Sequence, residues 1–140
     1  MSYDLQRFKD AQEWDYETAL AEIRSGRKRS HCIWYILPQL QGLGHSSMCA
    51  RYGIKDMGEA EAYLDDETLR ARLVEMAQTL LGLRTSDPVA VMGGIDALKL
   101  RSCMTLFSLA RNADPAFQAV LDKYYGSEPD HRTLELLGMR

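Results

Sequence analysis

Acidic residues recur one step ahead of apolar residues spaced three and four apart, and this recurrence confines the chain to a fold of short helices. Asp4 precedes Leu5, Phe8 and Ala11, and Asp15 precedes Tyr16, Ala19, Leu20 and Ile23, with Gly26 behind them as a stop. A carboxylate before a first turn accepts from backbone N–H groups that lack a partner inside the helix, and the i, i+3, i+4, i+7 spacing gathers the apolar residues on one face. Asp56 with Glu59 reads as a capping box for a helix carrying Met57, Ala60 and Leu64. After Asp65 or Asp66, Leu69, Leu73, Met76, Ala77 and Leu80 fall on one stripe, while Arg70, Arg72, Glu75 and Gln78 face away. Asp87-Pro88 and Asp114-Pro115 each set an acceptor before a proline at the first helical position. The second pair opens Phe117, Val120, Leu121 and Tyr124, closed by Gly126, and Leu134 with Leu137 supplies a last short helix ending at Gly138. The sum predicts an all-α fold of roughly eight or nine short helices in orthogonal multi-helical packing, joined by brief connections. No long alternating β-branched run predicts a sheet, and only residues 32–37 read equally as helix or strand.

The length of 140 residues predicts one domain over 1–140, and 46% hydrophobic with 26% charged residues is ordinary globular composition. The start, MSYDLQRFKDAQEW, has no apolar core of a signal peptide, and no apolar run reaches membrane-spanning length, so a soluble protein away from the membrane is expected. Cys32, Cys49 and Cys103 form no CxxC pair and read as reduced thiols in a cytoplasm. A net charge of −3 argues against non-specific nucleic-acid binding. The one basic cluster, Arg24, Arg27, Lys28 and Arg29, reads as a solvated helix end.

Two segments break their own pattern. Over residues 95–112, Leu100, Cys103, Met104, Leu106, Phe107 and Ala110 share a broad helical face, and Arg101, Ser102, Thr105, Ser108 and Asn112 the opposite one. Lys99 projects into the middle of the apolar face, either as a first-turn residue snorkelling past the core or as a cation lining a pocket. The other segment runs from Ser30 and His31 through Trp34 and Tyr35 to Pro38, where a helix must kink or stop. After Gln39, the turn Gly42-Leu43-Gly44 feeds His45-Ser46-Ser47 and a helix through Met48, Cys49 and Tyr52 that halts at Gly53. A glycine-permissive turn entering a helix points backbone N–H groups outward, a weak but real preference for an anion. Neither a P-loop nor a dinucleotide fingerprint is present, so no cofactor is expected. His45 and Cys49 lack third and fourth ligands, so no metal is expected either. No serine-hydrolase elbow or carboxylate pair stands out.

These motifs resemble a largely bacterial family described as domain of unknown function 1810. The likeness rests on Asp4 to Phe8 with Ala11-Gln12, then Ser30-His31, Trp34, Ile36, Pro38-Gln39 and Gly42 to Ser46. It continues through Ala62-Tyr63-Leu64, Lys99-Leu100, Ser102, Met104 to Phe107, Phe117 and Val120 to Tyr124. The resemblance implies a compact, mainly helical fold and no particular activity. A calpastatin-like label that some members carry finds no support in these residues. Cys32 stands where the family pattern has tryptophan and Cys103 where it has serine.

Two functions compete. One is a site, with or without catalysis, for a small anionic ligand bearing phosphate or carboxylate. Lys99 would give charge, Gln39 an amide, Gly42, Gly44, His45 and Ser46 the turn, and Trp34 an aromatic wall. His31 is the choice of general acid or base if chemistry occurs. Ser102 and Thr105 are expected to touch a neighbouring helix instead. The other is a protein-interaction module or homo-oligomer without catalysis, with an apolar patch including Tyr124, Tyr125 or Leu136.

Overall fold

A computed structural model describes residues 3–29, 33–43 and 47–139, with the side chains of Ile33, Met48 and Cys49 outside the description. Over these residues the chain is all helical, with nine helices and no strand. They are α1 (Gln6–Arg24), α2 (Ile33–Ile36), α3 (Ser47–Tyr52), α4 (Met57–Asp65), α5 (Glu67–Gly82), α6 (Pro88–Met92), α7 (Gly94–Ser108), α8 (Pro115–Tyr125) and α9 (His131–Leu136). No described helix is long and apolar enough to cross a membrane.

The acidic caps explain most of these starts. Asp56, Asp66, Asp87 and Asp114 accept from the backbone N–H of Glu59, Leu69, Val89 and Ala116 in turn. Of Asp65 and Asp66 it is the second that caps. The box at Asp56 closes only halfway, because Glu59 takes the N–H of Lys55 instead of the cap's own. The expected starts at Asp4 and Asp15 do not occur. Leu5 stands at the N-cap without a side-chain bond, and α1 runs for 19 residues through Asp15. Its two apolar stripes join into one face, Phe8, Gln12, Tyr16, Ala19, Leu20 and Ile23, that packs on α5. Asp15 accepts from the Tyr35 hydroxyl and so ties α1 to α2. The ambiguous stretch is resolved as helix over Ile33–Ile36, stopping two residues before Pro38 as the proline requires.

One apolar cluster gathers residues from all helices but α9, with Phe8, Tyr63, Phe107 and Phe117 among its largest buried members. Their rings meet in a chain: Phe8 to Tyr63 at 5.2 Å, Tyr63 to Phe107 at 5.1 Å, and Phe107 to Phe117 at 6.1 Å between centroids. Helix α7 lies in the middle, packed on α8, α6, α4 and α9.

Several polar groups inside this core are paired. Gln12, 1% exposed, donates to the Tyr35 carbonyl at 2.7 Å and to the Tyr63 hydroxyl at 3.0 Å, and accepts from Arg72. Glu59 faces Arg7 at 3.0 Å, and Arg7 also donates to the carbonyls of Arg51 and Gly53 at the end of α3. Lys123 donates to the carbonyls of Leu80, Leu81 and Leu83, closing the C-terminus of α5. Lys28 departs from the expected solvated helix end. Its side chain is 3% exposed and its ammonium meets Asp96, near the start of α7, at 2.9 Å.

Two predictions follow from this packing. Arg7→Ala strands the Glu59 carboxylate, 2% exposed, without its cation. The expected loss is about 3 kcal/mol, read as a lower urea midpoint at constant slope. Adding Glu59→Gln recovers part of that loss, since no buried charge is then left unpaired. Burial first, and for Tyr16 also the Glu75 carboxylate, raises the hydroxyls of Tyr16, Tyr63 and Tyr125 above the usual value near 10. Their folded pKa exceeds the unfolded one, so the stability they contribute is complete below pH ~10 and is lost as pH rises beyond it. In an alkaline titration, tyrosinate absorbance from these residues should appear only together with the loss of the helical circular-dichroism signal.

Candidate functional site

The first two turns of α7 extend past the core on one side. Ile95, Leu98, Lys99 and Ser102 are spaced i, i+3, i+4 and i+7, and all four line one hollow of about 290 Å³. Trp34 of α2 and Gln39 and Leu43 from the following loop form the second wall, and Asp130 and Arg132 at the start of α9 the third.

The loop wall is held from behind. Leu40 and Ile54 form a lone parallel bridge, in which the Gln39 carbonyl accepts from Ile54 at 2.9 Å and Gln41 donates to the Ile54 carbonyl at 2.8 Å. Pro38 and Leu40 are buried, so the backbone on both sides of Gln39 is fixed. Gln39 itself is only 6% exposed, yet among the described residues none hydrogen-bonds to its side-chain amide.

Lys99 does not snorkel into bulk water. Its ammonium lies 3.9 Å from the centre of the Trp34 ring, a cation–π geometry, and 3.8 Å from Asp96 Oδ1. The second contact is too long for a hydrogen bond, and Asp96 gives its other oxygen to Lys28. A buried lysine thus neutralises Asp96 from behind while Lys99 keeps its hydrogen-bonding capacity toward the hollow.

The acceptors lie opposite. Ser102 spends its proton on the Leu98 carbonyl at 3.1 Å, which leaves oxygen lone pairs. Asp130 caps α9: its Oδ2 accepts from the Thr133 N–H at 3.0 Å and the Thr133 hydroxyl at 2.5 Å. Its own N–H donates to Thr105 Oγ1 at 2.9 Å. Arg132 sits at the open edge, 3.6 Å from Glu135.

Of the residues singled out from the sequence, the structure brings together Lys99, Gln39 and Trp34. Gly42 lies outside the hollow with φ at +101°, beside Leu136, so glycine is required there by backbone conformation. His31, Gly44, His45 and Ser46 lie outside the described residues, as do Ser30 and Cys32. Thr105 meets the start of α9, whereas Ser102 lines the hollow and is not merely a helix contact, because it stands one turn beyond Lys99. Tyr124 is buried, its hydroxyl on the Leu80 carbonyl at 2.6 Å, so it belongs to no surface patch.

Ile95, Leu98, Asp130 and Arg132 escape a reading based on apolar stripes. Asp130 after Pro129 does carry a legible signal, a carboxylate three residues before Thr133 at a helix start. Ile95 and Leu98 carry none, since nothing local distinguishes an exposed apolar residue from a buried one. Among the described residues no group of three or more His, Cys, Asp or Glu is placed to hold a metal. Burial pushes the Cys103 thiol well above its usual value, which makes it inert as a nucleophile.

A family model described as protein of unknown function DUF1810 matches residues 2–137. Among solved structures, the chain is similar to the conserved hypothetical protein Rv1873 from Mycobacterium tuberculosis, with 43% identity and a TM-score of 0.94 over 99% of each chain. None of the curated proteins matches. With nearly its whole length under that family model and a bacterial neighbour of the same helical fold, the chain belongs to the DUF1810 family.

Proposed function

We propose that this protein binds a small molecule bearing a carboxylate or phosphate in the hollow between α2, α7 and the start of α9. The observation that carries the reading is Gln39, a nearly buried amide with no hydrogen bond from any described residue, set in the wall that also holds an aromatic-backed ammonium. The Gln39 amide atoms are not fully enclosed, so they stay open to a hydrogen bond from a molecule entering the hollow that the residue lines. A ligand oxygen entering the hollow would accept from this amide. Lys99 supplies the charge, Gln39 an oriented N–H donor, and Trp34 with Leu43, Ile95 and Leu98 an apolar lining. At about 290 Å³ the space stands at the lower end for ligand sites and suits a metabolite-sized molecule. Nothing in this reading requires turnover. We place the protein in the cytoplasm, where the buried free thiol of Cys103 stays reduced.

A second reading draws on the rim. Ile95 and Leu98 are 72% and 64% exposed, which suits a protein partner or a second copy whose acidic side chain enters the hollow. Light scattering over a concentration series tests self-association, and Leu98→Ser should abolish any that exists.

The main test is a thermal-shift and fluorescence titration with inorganic phosphate, glycerol 3-phosphate, succinate and 4-methylpentanoate. In a Trp14→Phe background, where the replaced ring is 87% exposed, the emission reports on Trp34. A probe present at about 100 times its Kd should stabilise the fold by ~2.7 kcal/mol and alter that emission as Lys99 turns to the ligand. Lys99→Met should remove both effects, and Gln39→Leu should weaken binding by about tenfold. A shift that Lys99→Met leaves intact overturns the ligand reading, as does the absence of any shift both with these probes and with hydroxy- and amino-acid analogues of 4-methylpentanoate.

A further inference from the structure

The hollow offers more than a cation. Asp130 lines it, and the bonds from Thr133 all fall on Oδ2, so among the described residues Oδ1 has no hydrogen-bond or ion-pair partner. Two bonds from Thr133 hold the carboxylate, and Thr105, itself 1% exposed, holds the backbone N–H. Ser102, on the same lining, has already committed its proton to Leu98. A purely anionic ligand would therefore meet the Lys99 ammonium, with Arg132 at the edge, but also two acceptor oxygens that repel it. A molecule that also carries a donor satisfies both sets.

Resting on the ligand-site reading above, we infer that the ligand is a hydroxy or amino acid with an apolar body. Its acid group meets Lys99 and Gln39, and its hydroxyl or ammonium donates to Asp130 Oδ1 and Ser102 Oγ. Charge supports the assignment. The lining sets Lys99 and the edge residue Arg132 against Asp130, a net of one positive charge that suits a single acid group accompanied by a donor better than a polyphosphate. The apolar body lies against Trp34, Leu43, Ile95 and Leu98, which explains why Ile95 and Leu98 remain apolar beside a polar floor.

Three probes of one shape separate this from the simpler reading: 4-methylpentanoate, 2-hydroxy-4-methylpentanoate and leucine, titrated into the full chain by calorimetry. The hydroxy and amino acids should bind at least about tenfold more tightly than the bare acid, which lacks a donor. Asp130→Asn removes the charge while keeping a good helix cap, so α9 should persist by circular dichroism and melting. In that variant leucine should lose about tenfold in affinity and the bare acid none. Ser102→Ala, which touches no cap, gives a second variant and should reduce the same advantage about threefold. Equal binding of all three acids through Lys99 overturns the inference and leaves the ligand site standing. So does phosphate or succinate binding through Lys99 with all three acids refused, or a donor advantage that survives in Asp130→Asn. Failure of every probe in both panels removes the site and the inference together.

Discussion

Helix α7 is covered on all sides only along part of its length. From Cys103 to Phe107 every residue is buried, more than a full turn, so no face is left for water. A helix enclosed in this way must be met by neighbours all round, and α4, α6, α8 and α9 supply them. The first two turns lie beyond that enclosure. There Gly94, Ile95 and Leu98 are exposed, while Ala97 and Leu100 on the other side remain buried. The hollow is the consequence of a central helix longer than the set of partners that covers it.

The same geometry decides what becomes of the polar residues. Within the core each one answers a specific demand. Arg7 and Glu59 neutralise each other, Gln12 joins α1, α2 and α4, and Lys123 completes the carbonyls that end α5. Among the described side chains only Asn112 Oδ1 is fully buried without a partner, and it sits beside Asp65 and Glu61, far in sequence from the hollow's own residues. Against that background Gln39 differs in kind. It is as secluded as many core residues but lines the hollow without a hydrogen bond from a described residue, and the bridge between Leu40 and Ile54 holds its backbone in place. Lys28 illustrates the other route: a buried ammonium is tolerated because Asp96 receives it at 2.9 Å.

Much of the architecture was legible because helix starts are chemically local. A carboxylate, or a carboxylate before proline, meets its own N–H donors within three residues, so Asp56, Asp66, Asp87 and Asp114 could be recognised without knowing the fold. Asp15 failed by the same rule. A carboxylate in front of an apolar stripe is also compatible with the middle of a longer helix, and the choice was made by Tyr35, twenty residues away. Lys28 failed for a related reason, since its partner Asp96 is distant in sequence and a local reading sees only a basic helix end. The wheel did find Lys99, because a lysine on an apolar face contradicts periodicity. It could not find the Trp34 ring beneath it, or Asp130 across from it, because these come from three separate elements. Individual side chains of a site can thus be suspected from pattern, whereas their convergence is a property of tertiary packing.

Burial would reward each aliphatic side chain at the rim by about 1.5–3 kcal/mol, and their exposure forgoes that gain. Ile95 and Leu98 follow one another along a single face of α7, with Lys99 adjacent and Ser102 one turn on. Stability alone would favour polar residues at such positions, or a neighbouring helix extended to cover them. Instead the cover stops short, and a cation is braced there by an indole in front and by a lysine-neutralised aspartate behind. That brace fixes Lys99 in a lining where Trp34, Leu43, Ile95 and Leu98 supply hydrocarbon beside the polar Gln39, Ser102 and Asp130. A hydrated inorganic ion gains little from that hydrocarbon. On the proposed reading, a molecule with both an acid group and a carbon body would use every wall, so that the combined lining, more than the lysine by itself, would set the preference.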